Sequence, residues 1–228
     1  MVQKVYCAGE RGGLEDIKPL AELTVGGRQC PVSNGKVTLE GIDYTVLVGN
    51  QVAVRGGDEN FILAESCSQI ERLKTGGRLI ISNPDFRAKS RIEADGGIDA
   101  VGSIRAERDI NADNGPIRAG GDIYSHSGAI NSFKGDIAAG GSITSGDSLI
   151  AWDGSITANG DIESKSGVMR ARGPIISKSG GIRAKDDIVS ATDEVYAYKD
   201  ILSLQGRIRF RENQRKAGPG QTLTNRLK

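Results

Sequence analysis

The side chains of this chain that could bind something recur at a fixed interval in its second half. Stepping by 13 residues gives Arg105, Arg118, Asn131, Thr144, Thr157, Arg170, Arg183, Tyr196 and Arg209. Arginines standing about 5 Å apart repel one another unless acids or a polyanion lie between them. The stripe Arg105, Arg118, Arg170, Arg183 and Arg209 therefore predicts a surface for carboxylate, phosphate, polysaccharide or a protein partner. Its competitor is a solvated face balanced by nearby Asp and Glu. A second series reads Asn111, Tyr124, Ala138, Ile150, Glu163, Ile176, Val189 and Leu202, and it turns apolar toward its end. An exposed row of Ile176, Val189 and Leu202 is a liability on a monomer. It predicts self-association through a ridge to which Tyr124, Ile150 and Leu204 add, with cover by the C-terminal tail as the alternative.

The remaining candidate chemistry is thin. A column of acids, Asp109, Asp122, Asp136, Asp161, Asp187 and Asp200, could suggest calcium, but the nonapeptide calcium rolls need a Gly-Gly-x-Gly-x-Asp rhythm that is absent. Hydrogen bonds from each Asp to its local turn are the expected role. His126 is the only histidine and falls in a turn, Tyr124-Ser-His-Ser-Gly128. A hexapeptide-repeat acyltransferase would use such a residue as a base. That class places its small residue at i+4 from the aliphatic one, whereas here the small residue stands at i+2, and no long loop is present to cover a cofactor. The expectation is a non-enzymatic chain with no catalytic residue, cofactor or metal site.

The element that must position these side chains is the repeat itself. Ile104, Ile117, Ile130, Ile143, Ile156, Met169, Ile182, Val195 and Ile208 form one apolar series, and Ile110, Ile123, Ile137, Leu149, Ile162, Ile175, Ile188 and Ile201 interleave with it. Two residues after each stands Ala or Ser, with Phe210 the exception. Apolar at i and small at i+2 put both on one face of a short strand. Glycines and Asx residues between the strands predict tight corners with positive φ. A short fixed period of this kind marks a stacked solenoid. We read an all-β solenoid of 13-residue, two-strand coils, favoured over a three-sided coil of about 19–20 residues. About eight such coils would make a rod of roughly 40 Å.

Residues 76–210 are assigned to the solenoid, with Ile80, Phe86, Ile92 and Ile98 adding coils at six-residue spacing. Residues 1–75 read as a small β-rich cap or head, with a hairpin turning at Gly49-Asn50 and helix-compatible spacing over 59–74. A cap is expected because an open solenoid end exposes unpaired strand edges. Residues 211–228 lose the pattern and read as a basic, disordered tail. The net charge is +1, no apolar run could span a bilayer, and the N-terminus lacks a signal peptide's apolar stretch. Cys7, Cys30 and Cys67 lie outside the repeat without motif spacing. They predict reduced thiols in a cytoplasmic protein, with a Cys7–Cys30 bridge as the alternative.

The runs Ile117-Arg-Ala-Gly-Gly-Asp-Ile123 and Ile137-Ala-Ala-Gly-Gly-Ser-Ile143 resemble the polymer-forming bactofilins and the β-helical region of the flagellar assembly protein A family. The resemblance covers roughly residues 76–210. It implies a bacterial or phage-borne scaffold whose solenoids associate end to end or side to side. The 13-residue spacing departs from bactofilin coils, which look three-sided. The functional expectation is a scaffold or binding rod, a homo-oligomer or polymer with a protein or polyanion partner. The alternative is a phage fibre or baseplate component, virion-associated rather than cytoplasmic.

Overall fold

The computed structural model describes residues 2–6, 22–25, 28–34, 36–47, 51–55, 60–63, 69–70, 73–82, 86–191, 195–205, 207–209 and 223–225. Strands of two to six residues make up all of its regular structure, and no helix occurs among the described residues. The repeat forms a parallel β-solenoid, as its alternation requires. The two-sided coil is corrected: each turn has three sides, the first turns taking 18 residues and the later ones 19 or 20. Ile98 pairs with Ile117, Ile117 with Ile137, and Ile137 with Ile156.

Three parallel sheets run along the rod. The first carries Asn60–Leu63, Leu79–Ile81, Ile98–Ala100, Ile117–Ala119, Ile137–Ala139, Ile156–Ala158, Ile175–Ser177 and Val195–Ala197. The second carries Gln69–Ile70, Arg87–Ala88, Ile104–Ala106, Ile123–Ser125, Ile143–Ser145, Ile162–Ser164, Ile182–Ala184 and Ile201–Ser203. The third carries Leu73–Thr75, Ile92–Ala94, Ile110–Ala112, Ile130–Ser132, Leu149–Ala151, Met169–Ala171, Ile188–Ser190 and Ile208–Arg209. The chain visits them in the order first, second, third.

Inside the triangle the Ile series is almost wholly buried. The small residue closes each strand just before a corner and is buried. Where it is serine, its hydroxyl closes that corner. Ser125 Oγ lies 2.7 Å from the carbonyl of Arg108 and 2.8 Å from that of Gly128, so its single proton serves the same corner on two successive coils. Ser132, Ser145 and Ser164 repeat the arrangement. These buried hydroxyls give the corner carbonyls a donor, in some cases, as at Gly128 and Ser148, beside a backbone N–H from another coil.

The corner glycines serve a different purpose from the one expected. Gly41, outside the repeat, has positive φ, whereas the corner glycines do not. They are needed because corners stack backbone on backbone. A Cβ on Gly115 would stand 2.6 Å from the Gly97 nitrogen, and one on Gly128 would stand 2.5 Å from the Arg108 carbonyl carbon. The acidic column is corrected as well. Its hydrogen bonds run to the next coil rather than to the local turn. Asp109, Asp122, Asp136, Asp161 and Asp187 accept from the backbone N–H of Ala129, Ser142, Ser155, Gly181 and Arg207 at 2.6–3.0 Å.

The N-terminal unit is β-rich and caps the rod. Lys36–Leu39 and Ile42–Leu47 form an antiparallel hairpin, and the second strand pairs in parallel with Asn60–Leu63. The hairpin turns at Glu40 and Gly41, with φ of +54° and +80°, as a turn matched to strand twist requires. The turn expected at Gly49-Asn50 lies outside the described residues, and the strand after it, Gln51–Arg55, pairs with Val2–Tyr6. The cap also covers the outer side of the first sheet. Ile62 and Ile80 face outward there and are buried with Cys30, Val37, Tyr44 and Val46 in a second core. Leu79 therefore takes the inner position expected of Ile80. Cys30 is a buried free thiol, while Cys7 and Cys67 lie outside the described residues.

The helix expected over 59–74 is replaced by the strands Asn60–Leu63, Gln69–Ile70 and Leu73–Thr75, which form the first coil. The solenoid therefore begins before residue 76. In the segment read as a disordered tail, Leu223–Asn225 forms a strand that extends the second sheet beyond Ile201–Ser203. The rest of that tail lies outside the described residues.

Candidate binding surfaces

Only the middle residue of each three-residue strand points outward, so each sheet displays one column of side chains with close neighbours one coil apart. On the first sheet this column reads Asp99, Arg118, Ala138, Thr157, Ile176 and Tyr196. On the second it reads Arg87, Arg105, Tyr124, Thr144, Glu163, Arg183 and Leu202. On the third it reads Glu93, Asn111, Asn131, Ile150, Arg170, Val189 and Arg209.

The two stripes expected from the sequence are thereby taken apart. Arg118 stands on the first sheet, Arg105 and Arg183 on the second, and Arg170 and Arg209 on the third, so no anion-binding stripe joins these five. Arg105 lies 3.8 Å from Asp122, and Arg209 lies 3.6 Å from Asp187. The apolar ridge is dispersed too: Ile176 is on the first sheet, Val189 on the third and Leu202 on the second. Of the six residues expected at an interface, Ile150 and Val189 share the third sheet with Arg170 between them. Tyr124 and Leu202 share the second, and Leu204 is exposed just beyond its strand. The cause is geometric, because a step of 13 residues advances two sides of a three-sided coil.

One pair of adjacent arginines does exist. Arg87 and Arg105 are register partners on the second sheet. Arg87 is held by a short ion pair with Glu107, whose hydrogen bond from Arg87 keeps that carboxyl below its ordinary range. The two arginines, with Glu107, Asp122, Tyr124, Ser142 and Thr144, line an open hollow of about 260 Å³. Farther along the same sheet, Asp161, Glu163, Arg183, Lys199, Asp200 and Leu202 line a second hollow of about 280 Å³. His126 is exposed beside the first, its Nδ1 3.1 Å from the Tyr124 hydroxyl. Lys165 Nζ stands 5.2 Å from the centre of the Tyr124 ring.

The third sheet carries a feature that the outward columns alone did not reveal. Phe133 and Trp152 directly follow the strands Ile130–Ser132 and Leu149–Ala151, and each remains nearly half exposed, at 46% and 47%. Their rings are near parallel, 9° apart, with centres separated by 6.3 Å. The Arg170 guanidinium stands 5.9 Å from the Trp152 ring centre, and Arg172 pairs with Asp153 at 2.5 Å. Strand alternation extended by one outward position beyond the small residue would have placed both rings beside Ile150.

At the cap, Arg78 joins three segments. Its Nε donates to Asp99 at 2.9 Å, a terminal nitrogen donates to the Tyr44 hydroxyl at 3.2 Å, and its backbone N–H donates to the Asn60 side chain at 2.9 Å. Burial opposes the cation, but the hydrogen bond and attraction of Asp99, helped by Tyr44, hold its pKa above the ordinary value. Among the described residues, no group of three or more His, Cys, Asp or Glu side chains could hold a metal ion. No helix among them is long and apolar enough to cross a membrane. No protein family, curated protein or solved structure matches this chain.

Proposed function

We propose that this chain is a non-catalytic structural rod that associates with copies of itself through the third sheet. The observation that carries the reading is the pair Phe133 and Trp152, two exposed aromatic rings on successive coils beside Ile150. Tryptophan, tyrosine and arginine dominate the energetics of protein interfaces, and Arg170 adjoins the pair. The three-sided coil supports the resemblance to polymer-forming bactofilins, since it removes the departure in coil shape.

Covering Phe133, Ile150 and Trp152 would remove roughly 300 Å² of apolar surface per chain, about 7 kcal/mol at ~25 cal/mol/Å². The cost of association is about 4–15 kcal/mol, so one such contact is weak. Assembly should depend on concentration and gain from several rods meeting at once. Sedimentation velocity over a concentration series tests this. Trp152→Asp with Phe133→Asp should give a monomer with an unchanged far-ultraviolet circular dichroism spectrum. A wild-type chain that stays monomeric at high concentration would exclude the reading. His126→Ala should leave assembly untouched.

A further inference from the structure

We propose that the second sheet is a binding trough for a linear, uncharged oligosaccharide. The two hollows lie on this one sheet, and the strands Ile143–Ser145 and Ile162–Ser164, which border them, are directly paired. Together they run from Arg87 to Leu202, seven strands and about 29 Å at ~4.8 Å per coil. A site of that length suits an extended chain lying along the rod.

One wall of the trough is preorganised. Asp122 N–H donates to Ser103 Oγ at 3.0 Å, Ser142 N–H to Asp122 Oδ1 at 2.9 Å, Asp161 N–H to Ser142 Oγ at 3.1 Å, and Gly181 N–H to Asp161 Oδ1 at 2.7 Å. Each of these side chains is pinned to the backbone of the next coil, so a ligand has little to order there.

Charge identifies the ligand class. In the first hollow two arginines face two carboxylates, and in the second Arg183 and Lys199 face Asp161, Glu163 and Asp200. A polyanion would meet as much repulsion as attraction. A sugar hydroxyl donates and accepts together, and cations beside carboxylates supply both halves in each hollow, with Ser142 and Thr144 doing so between them. Tyr124, half-buried in the first hollow with Lys165 over one side of its ring, leaves the other side for the apolar side of a pyranose ring. An extended peptide fits less well, because its backbone groups would need a free strand edge rather than a row of side chains.

The test is a titration of isotope-labelled full-length protein, followed by NMR, with cellohexaose, maltohexaose, xylohexaose and chitohexaose as neutral probes and hexagalacturonate as the anionic one. The expected result is saturable shifts from at least one neutral probe at Ile104–Ala106, Ile123–Ser125 and Ile143–Ser145. Tyr124→Ala should weaken that binding roughly five- to tenfold, and Trp152→Ala, on the third sheet, should leave it unchanged. The trough and the self-association surface can thus fail separately. The proposal is overturned if no neutral probe shifts the second sheet. It is equally overturned if hexagalacturonate binds more tightly, with affinity falling steeply as salt is raised.

Discussion

A glycine in this chain answers one of two demands, and substitution separates them. At Gly140 a methyl group would run into the carbonyl of Gly120, whose carbon would lie 2.9 Å away, and neither backbone can move without disturbing every coil above. At Gly41 a methyl group meets nothing within 4 Å, and only the positive φ opposes it. Gly140→Ala should therefore cost about 2–3 kcal/mol through overpacking, and Gly41→Ala about 1–2 kcal/mol through backbone strain. Urea unfolding of both variants checks the order, and a larger loss at Gly41 would contradict the stacking argument. The corner serines make a related demand. Ser164→Ala leaves the carbonyls of Asp147 and Gly167 without their hydroxyl donor and should cost about 1–2 kcal/mol.

At the scale of the strand, one residue separates the dry interior from water. Ile156 is fully buried and Thr157 faces outward on the same strand. Ile156→Lys places an ammonium in a column without partners and should abolish cooperative unfolding, whereas Thr157→Lys should be nearly neutral. Equal thermal melts for the two would invert the assigned faces. This alternation was legible because it needs only neighbouring residues. How strands stack was not, because six- and seven-residue units bring Ile inward on either two sides or three. A 13-residue step would have set Arg105 beside Arg118, Arg170 beside Arg183, and Asp109 beside Asp122. Those like-charge contacts count against two sides, although the three-sided coil still stacks Arg87 on Arg105. In the three-sided coil, Ser103, Asp122, Ser142, Asp161 and Gly181 stack instead, so acids alternate with neutral groups.

At the scale of the molecule, the rod depends on how its first coil is closed. Arg78 ties the cap hairpin to two coils through Tyr44, Asn60 and Asp99. Arg78→Ala should speed amide exchange in Lys36–Leu39 and Ile42–Leu47 and leave the strands from Ile104 to Ser190 unchanged. Uniform acceleration along the whole rod would show that the cap and the coils unfold as one unit. The cap was legible as a need, since an open end exposes strand edges. Its wrapping over the outer side of the first sheet was not, because Ile62 and Ile80 are outward residues whose cover comes from a distant segment. The aromatic pair was missed for a similar reason: Phe133 and Trp152 stand one position beyond the strand unit that defined the repeat.

The mismatch between the 13-residue sequence repeat and the 19- or 20-residue turn also governs how such a gene can grow or shrink. Excising residues 156–174 removes one turn and joins Ser155 to Ile175, the register partner of Ile156, so everything downstream keeps its side. Excising 156–168 removes one sequence repeat and joins Ser155 to Met169, which belongs to the third sheet but would enter the first. The interior would still close, because Ile-like and small residues still alternate inward. Every downstream surface would turn by one side of the triangle. Copying errors in units of the sequence repeat thus keep the rod folded while reshuffling its exterior, and only whole-turn changes lengthen it with its outer columns in order.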